Sequence, residues 1–461
     1  MDLHAAIAAY HALLDEDAAR ESFALLDAGI RRRGMLVGKA RDRLVCEVLR
    51  PRLLAPAQYA LLKEASAGVG RAIQQVGMAA LADEALLAPY ALTADERALL
   101  AIDPGYPGAA RFGRLDGFLD PAGRWCAFVE SNLESPAGIA YEDALVEEFL
   151  ALPVMRAFVA EHPVHVFELW RRLHHALLAA WRAWGGAGAP TVAIVDFRDA
   201  VTTPEFVFLR DRFTEAGTPT LIADPDELRY DGATLYVERA GRREAVGLVY
   251  RRVLQHEFLA RHDLGHPLVR AYADGRVCVV NPFRSKPVHT KLIMALISDE
   301  QGLAWRHMDD RARAAARAYV PWTRLLRPGP SAYQGEALAD LPAFVTANRE
   351  RLVLKPNDAY GGSGVVLGWT ATDAEWRAAM AEALRGPWVV QERVPIPEED
   401  YPTWSPEAGL RFTPRYVDSD PCVFGVAPEV DAAGCLTRIA ATPLLNVSAG
   451  GGAAPPTFLL V

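Results

Sequence analysis

Four polar residues on two adjacent predicted strands have the types and spacing of a metal and phosphate site. Arg114 and Asp116 stand two residues apart, and Glu130 and Asn132 repeat that spacing further along the chain. Side chains alternate along a strand, so each pair lies on one face, and a turn at 120–123 would bring the two faces together. Two carboxylates and an amide oxygen are hard ligands suited to Mg²⁺, and the arginine could stabilise charge on a transferring phosphoryl group. A surface hairpin of mixed charge is the alternative, but it does not explain the shared face beside the apolar "CAFV".

A lysine followed by glycines is the second candidate, in "RLVLKPNDAYGGSGVVLG" over residues 351–368. In a Walker A loop the lysine follows the glycines and a helix comes next, whereas here Lys355 precedes Gly361, Gly362 and Gly364 and a strand follows. We therefore predict two strands joined by a glycine-rich flap, whose backbone N–H groups can approach phosphates because no Cβ blocks them. Lys355 would place a positive charge at the α or β phosphate. A plain hairpin with an exposed lysine fits the same residues.

The third candidate is "VVQERVPIPEE", in which an apolar strand runs into a proline-rich loop. Such a strand end can form the wall of an adenine pocket, with backbone groups from Glu392 to Val394 at the adenine edge. Glu398 would then bind the ribose hydroxyls, although the adjacent Glu399 fits equally well. An edge strand ended by prolines is the other interpretation.

Helices and strands in alternation would position these residues. Residues 1–100 have apolar residues at helical spacing, and helices resume from about Tyr141 to Trp184. Four strand-like runs come next, and they predict an open α/β sheet: "TVAIVDF", "TPTLIAD", "ATLYVER" and "AVGLVYRRV". No GxGxxG follows the first of them, which argues against a dinucleotide-binding dehydrogenase.

The composition of the 461 residues excludes several classes of protein. The net charge is −9 and no long basic block occurs, so we expect no nucleic-acid partner. No apolar run is long enough for a membrane span, and the first residues lack a signal-peptide pattern. The five cysteines are scattered, which is typical of reduced thiols and predicts a cytoplasmic location without zinc or disulfides.

The three candidates together, in their order along the chain, resemble the circularly permuted ATP-grasp proteins, the group that includes glutathionylspermidine synthase. The likeness extends over "RLDGFLD", "FVESNLESPAG", "VYRR", "KLIMALISDE", "VLKPNDAYGGSG", "VVQERVP" and "LLNVSAGGG". It implies an α/β permuted ATP-grasp fold with a helical N-terminal region and a pre-ATP-grasp-like α/β domain. The chain has no amidase domain, so the substrates of the bifunctional enzymes do not follow. Ser363 also departs from the basic residue that some members carry in the flap.

The resemblance implies a carboxylate–amine ligase that uses ATP and Mg²⁺ and forms an amide through an acyl phosphate, releasing ADP and phosphate. Arg114 would steady the transition state, and the metal ligands would be Asp116, Glu130 and Asn132. The nucleotide would be bound by Lys291, Lys355, Gly361, Gly362, Ser363, Gly364, Gln391, Glu392, Val394 and Glu398. A phosphotransferase without ligation and a non-catalytic ATP-binding module are the alternatives.

The same resemblance suggests four regions: 1–185 with the metal hairpin, 190–280 as the substrate-side domain, 281–405 with the flap, and 406–461 returning to the core. A small-molecule carboxylate and an amine are the expected partners, and their identities and the oligomeric state stay open. Weaker candidates also have structural interpretations, and for His289 a loop position is favoured over a role as a base. These candidates are His289, Arg251, Arg252, Arg415, Ser135 and Gly450 to Gly452.

Overall fold

A computed structural model describes residues 2–38, 40–359, 361–447 and 451–461. The N-terminal region is mainly helical, as predicted, but it also contains short strands that the sequence did not indicate. Its elements are α1 (Leu3–Ala12), α2 (Glu16–Arg32), β1 (Leu36–Val37), β2 (Arg43–Leu44), β3 (Arg52–Leu54), α3 (Pro56–Ala82), α4 (Glu84–Leu87), α5 (Ala94–Ala101), β4 (Phe112–Leu119), β5 (Cys126–Asn132), α6 (Ile139–Ala151), α7 (Pro153–Glu161), β6 (Val164–His165) and α8 (Leu169–Ala183).

A parallel sheet follows, in the strand order β13-β12-β7-β8. The elements of this region are β7 (Val192–Val195), α9 (Thr203–Glu215), β8 (Thr220–Ala223), β9 (Leu228–Tyr230), β10 (Leu235–Arg239), β11 (Arg242–Ala245), β12 (Leu248–Arg251), α10 (Gln255–Arg261), α11 (Pro267–Ala273) and β13 (Cys278–Val280). Three of the four predicted strands are confirmed as members of this sheet. The prediction for "ATLYVER" was wrong, because β10 pairs antiparallel with β9 and β11 in a separate small sheet and β13 takes the fourth place.

The flap sheet has the order β14-β19-β17-β18 and carries the predicted strand, turn and strand, since β17 pairs antiparallel with β18. The elements of this region are α12 (Lys286–His289), α13 (Leu292–Ser298), α14 (Asp310–Tyr319), β14 (Thr323–Leu325), β15 (Ser331–Tyr333), β16 (Glu336–Leu338), α15 (Leu341–Ala347), β17 (Leu352–Pro356), β18 (Val366–Leu367), α16 (Asp373–Ala383) and β19 (Trp388–Glu392).

The last strands of the chain return to elements near its beginning. They are β20 (Glu398–Ser405), β21 (Gly409–Val417), β22 (Asp420–Val426), β23 (Glu429–Leu436), β24 (Ile439–Ala440) and β25 (Thr457–Leu460). Strands β22 and β23 complete a sheet of order β23-β22-β4-β5, and β25 lies between β3 and β6. The predicted metal hairpin therefore forms half of a four-stranded sheet, with β4 inside the sheet and β5 at its edge.

The long helix α3 packs against this central sheet and against α13 and α14. Its buried face recurs at helical spacing through Leu62, Val69, Ile73 and Val76. Gly77 lets a neighbour come close, because a Cβ there would lie 2.1 Å from a methyl of Val288. None of the helices in the described residues is long and apolar enough to cross a lipid bilayer.

Candidate active site

A cavity of about 550 Å³ lies between the central sheet, the flap sheet and the carboxyl ends of the parallel strands. Ligands of open α/β sheets bind at the carboxyl ends of the strands, which makes this cavity the first candidate for a site. Many of the predicted site residues line it: Arg114, Asp116, Glu130, Asn132, Lys355, Gly361, Gly362, Gln391, Glu392 and Val394.

The hairpin of β4 and β5 brings the predicted metal ligands together. Arg114 lies opposite Asn132, and Asp116 lies opposite Glu130. Asp116 Oδ1 accepts hydrogen bonds from Arg114 Nε at 2.7 Å and Asn132 Nδ2 at 2.9 Å. Its Oδ2 accepts from Arg114 at 3.2 Å and from Arg438 at 2.7 Å. All four lone-pair directions of this carboxylate are therefore occupied within the protein.

Arg438 and two aspartates complete a charged cluster that the sequence analysis missed. Arg438 Nε lies 2.7 Å from Asp418 Oδ2, and its Nη2 lies 3.0 Å from Asp420 Oδ2. The pairing of β22 with β4 puts both aspartates beside Asp116 and Arg114. The spacing of the two aspartates in "VDSD" was the available sequence signal for this cluster. The neighbouring residues do not indicate which strand this segment pairs with.

Burial and ion pairing set the protonation of this cluster. Burial alone would raise the pKa of Asp116, but Arg114 and then Arg438 outweigh it and hold that pKa below its usual value. Burial raises the pKa of Asp418 to about 6, against the effect of Arg438, and raises the pKa of Asp420 well above its usual range. Three carboxyl groups within one cluster thus differ in their affinity for protons, as coupled sites do.

Two lysines face the hairpin from the flap side. Lys355 Nζ donates to Gln391 Oε1 at 2.7 Å and to the carbonyl of Val129 at 3.1 Å. Lys291 Nζ lies 3.1 Å from Glu130 Oε1 and also donates to the carbonyl of Ala359. Lys291 is buried but does not line the cavity, so it contacts the site through Glu130 and the root of the flap.

The flap is attached at both of its sides. At its root, Asn357 accepts the backbone N–H of Leu292 with its side-chain oxygen at 2.8 Å. At its tip, Asn446 donates to the carbonyl of Gly361, and Gly362 faces Leu444. Gly361, Gly362 and Gly364 have positive φ values, which glycine adopts without steric cost.

Two residues at the flap tip lie away from the cavity. Ser363 and Gly364 are exposed and do not line it.

The strand that is predicted to form the adenine wall lines the cavity, whereas the predicted ribose ligand does not. Gln391 and Glu392 end β19 at the cavity, and Glu392 accepts from the hydroxyl of Tyr333 at 2.5 Å. Glu398 is exposed and does not line the cavity, and Glu399 forms ion pairs with Arg50 and Arg52 instead. Glu398 as a nucleotide ligand therefore stays a prediction, and in this structure its strand β20 pairs with β21 outside the cavity lining.

The weaker candidates fall on both sides of the cavity wall. Ser135, Arg252 and His289 line it, whereas Arg251 is fully buried and bonded to Glu134 at 2.7 Å. Arg415, on β21, does not line the cavity. Gly451 and Gly452 do not line it either. Gly450 lies outside the described residues.

The donor set fits a magnesium ion only in part. Among the residues that the structure describes, no group of three or more histidine, cysteine, aspartate or glutamate side chains is arranged to hold a metal ion. Glu130 lies at the cavity and forms an ion pair with Lys291. Asn132 uses its amide N–H₂ on Asp116, which leaves its carbonyl oxygen for another partner. Mg²⁺ in nucleotide sites takes one or two carboxylates and completes its shell with phosphates and water, and these oxygens suit that role.

Two curated proteins and one solved structure are similar to this chain. No protein-family model matches the chain. A putative glutamate–cysteine ligase 2-3 of Frankia alni is 31% identical over 356 residues, and a putative glutamate–cysteine ligase 2-2 of Frankia casuarinae is 29% identical over 355 residues. Each match covers 72% of this chain but only 36% of the relative, so the chain spans about a third of the length of these curated relatives.

The fold has a solved counterpart. A glutathione synthetase-like effector from Globodera pallida, in its apo form, superposes with a TM-score of 0.63 at 12% identity. The superposition covers 97% of this chain and 98% of that one. The chain therefore has the mixed α/β fold of that protein over nearly its whole length.

Proposed function

We propose that the chain is an ATP-dependent carboxylate–amine ligase built on a circularly permuted ATP-grasp fold. The observation that carries the proposal is the composition of the cavity, where a glycine-rich flap and a buried lysine face a hairpin of oxygen ligands. The order of the parts supports the permutation, since the hairpin comes early in the chain yet shares its sheet with β22 and β23. The names of the relatives and the fold of the effector support amide-bond ligation in general.

The proposed roles of the residues follow from their charges. Lys355 and Lys291 would bind phosphate oxygens, and the backbone N–H groups at Gly361 and Gly362 would cover them. Arg114 and Arg438 lie at the same corner, where they would offset the negative charge of an acyl phosphate. The protein then acts mainly by positioning the carboxylate and the phosphate in line.

A magnesium ion would be held by Glu130 and Asn132, with Asp116 once one of its arginine bonds is given up. When bound, it would neutralise phosphate charge. The adenine would lie against β19 near Gln391 and Glu392, and a ribose contact from this chain is not assigned.

The test is ADP release that depends on both an acid and an amine. Glutamate and cysteine form the first pair, because the relatives' names contain them. Hydroxylamine in place of the amine should trap an acyl phosphate as a hydroxamate, which mass spectrometry identifies. AMP with pyrophosphate, in place of ADP with phosphate, would contradict the acyl-phosphate step.

The same assay separates the alternatives. A phosphotransferase would release ADP and a stable phosphorylated product without an amine. A non-catalytic module would bind nucleotide and release none. Nucleotide binding itself is measured by thermal unfolding, since a ligand at 100 times its dissociation constant adds about 2.7 kcal/mol to the folded state.

A further inference from the structure

We name one part of the same cavity the acceptor compartment. It lies between the β1–β2 hairpin, the start of α6 and the loop that follows β7. Its lining residues include Val37, Ser135, Tyr141, Leu145, Asp196 and Val201. Arg41 joins two of these walls, because its guanidinium donates to the carbonyl of Ala200 at 3.2 Å.

One carboxylate in this compartment has no ion pair. Asp196 follows β7 at its carboxyl end, and its Oδ1 accepts the backbone N–H of Phe197 at 2.8 Å. Within the described ranges no lysine, arginine or histidine forms an ion pair with Asp196. Burial raises its pKa to about 6, with Arg252 opposing that rise, so the carboxylate is ionised at neutral pH.

The cations nearby already have partners. Arg261 pairs with Asp199 at 2.9 Å and lies over the ring of Phe197 at 3.9 Å. Arg252 lies 3.4 Å from Glu205 and also donates to the carbonyl of Pro136. The negative charge of Asp196 is therefore left to a cation from outside the chain.

Apolar residues share the cavity lining with Asp196, although Asp199, Thr202 and Glu257 line it too. Val37, Tyr141 and Leu145 contribute side chains to the wall. Val201 lines the cavity although 57% of its surface is exposed. The lining of this part of the cavity thus includes apolar residues, as ligand pockets generally do.

We propose that the acceptor compartment binds the amine substrate, with the ammonium group on Asp196 and an apolar body against Val37, Tyr141, Leu145 and Val201. This inference rests on the proposed ligase function. It narrows the acceptor to primary amines that carry an aliphatic or aromatic body. Strongly hydrophilic amines would leave the apolar wall in contact with water.

Phenethylamine is a suitable probe, and 2-phenylethanol is its uncharged analogue. Their dissociation constants are measured by ligand-observed NMR with the full chain saturated with ADP and Mg²⁺ at pH 8. We expect phenethylamine to bind at least about 10-fold more tightly than the alcohol. Only its ammonium group can form an ion pair with the Asp196 carboxylate. The variant Asp196→Asn should remove this preference, and Asp310→Asn should keep it because Asp310 is fully exposed and does not line the cavity.

Equal affinity for the amine and the alcohol in the unaltered chain would overturn the proposal, and so would a preference that survives in Asp196→Asn. If 1,4-diaminobutane binds as tightly as phenethylamine, the part of the proposal that places an apolar body against the cavity wall is overturned. ADP binding is measured in the same samples and should be equal in all variants. Absence of the amine preference in the unaltered chain, with ADP still bound, refutes only the acceptor compartment, whereas an unaltered chain that binds no ADP refutes the ligase proposal.

Discussion

Nucleotide binding is expected to depend on pH through Lys355, because its ammonium group is buried before any phosphate arrives. Burial lowers its pKa to about 8, with Glu130 opposing and Lys291 adding to the effect. An unperturbed lysine titrates near 10.4. The charged form is therefore disfavoured in the folded chain by about 3 kcal/mol below pH 8, and this cost disappears as the pH rises from about 8 to about 10.4.

A bound phosphate would raise the pKa of Lys355 again, since it stabilises the protonated lysine. With a pKa of about 8, about nine-tenths of the free protein carries the proton at pH 7 and about one-tenth at pH 9. If the complex stays protonated throughout, the affinity should fall about 10-fold between these pH values. Binding at pH 9 should take up about 0.9 proton.

Isothermal titration calorimetry measures both quantities. ADP with Mg²⁺ is titrated at pH 7, 8 and 9 in pairs of buffers that differ in ionisation enthalpy, and the difference in heat gives the protons taken up. Phosphate groups titrate near pH 6, well below the window that matters. In Lys355→Arg the cation cannot lose its proton, so the affinity should become independent of pH.

Two results would refute this reasoning. One is uptake below about 0.2 proton at pH 9 in the unaltered chain, when about 0.9 is expected. The other is full uptake in Lys355→Met, which would assign the proton to another group such as Lys291.

Three further outcomes are expected. Glu130→Ala should abolish Mg²⁺-dependent ADP release while the far-ultraviolet circular dichroism spectrum stays unchanged, and retained turnover would remove Glu130 from the metal site. Arg438→Ala should lower the free energy of unfolding by about 3–5 kcal/mol in a urea titration, because it leaves buried aspartates short of a cation, whereas Arg415→Ala should change it by about 0.5 kcal/mol or less. Gly138→Ala should destabilise more than Gly185→Ala, since both glycines have φ near +100° but only at Gly138 would a Cβ meet a neighbouring side chain, at 2.3 Å. Equal melting temperatures for these two variants would show that backbone strain alone is responsible.

Local rules in the sequence were enough for much of the site. The alternation of Arg114 with Asp116 and of Glu130 with Asn132 predicted the shared face of the hairpin, and the register of β4 and β5 has that arrangement. The glycines after Lys355 predicted an antiparallel flap, and β17 and β18 form it. Strand periodicity and glycine conformation act over a few residues, which is why they can be read from one sequence.

Local rules failed where a strand has several possible partners. The strand "ATLYVER" has the same pattern as members of the parallel sheet, but it forms a separate sheet with its neighbours. Glu398 follows the adenine strand closely in sequence, yet β20 carries it away from the cavity. In both cases the pairing of the strand decided the location of the side chain, and pairing is a property of the whole chain.

The residue types, their faces on each strand and the antiparallel pairing at the flap were thus determined by the sequence itself, because they depend on neighbouring residues. The tertiary structure alone decided that Arg438 and Asp420, some three hundred positions after Asp116, close the charged corner. It also decided that Asp196 lines the same cavity as apolar residues from distant elements. Burial and charge balance depend on which elements pack together, and only long-range packing brings those groups within a few ångströms.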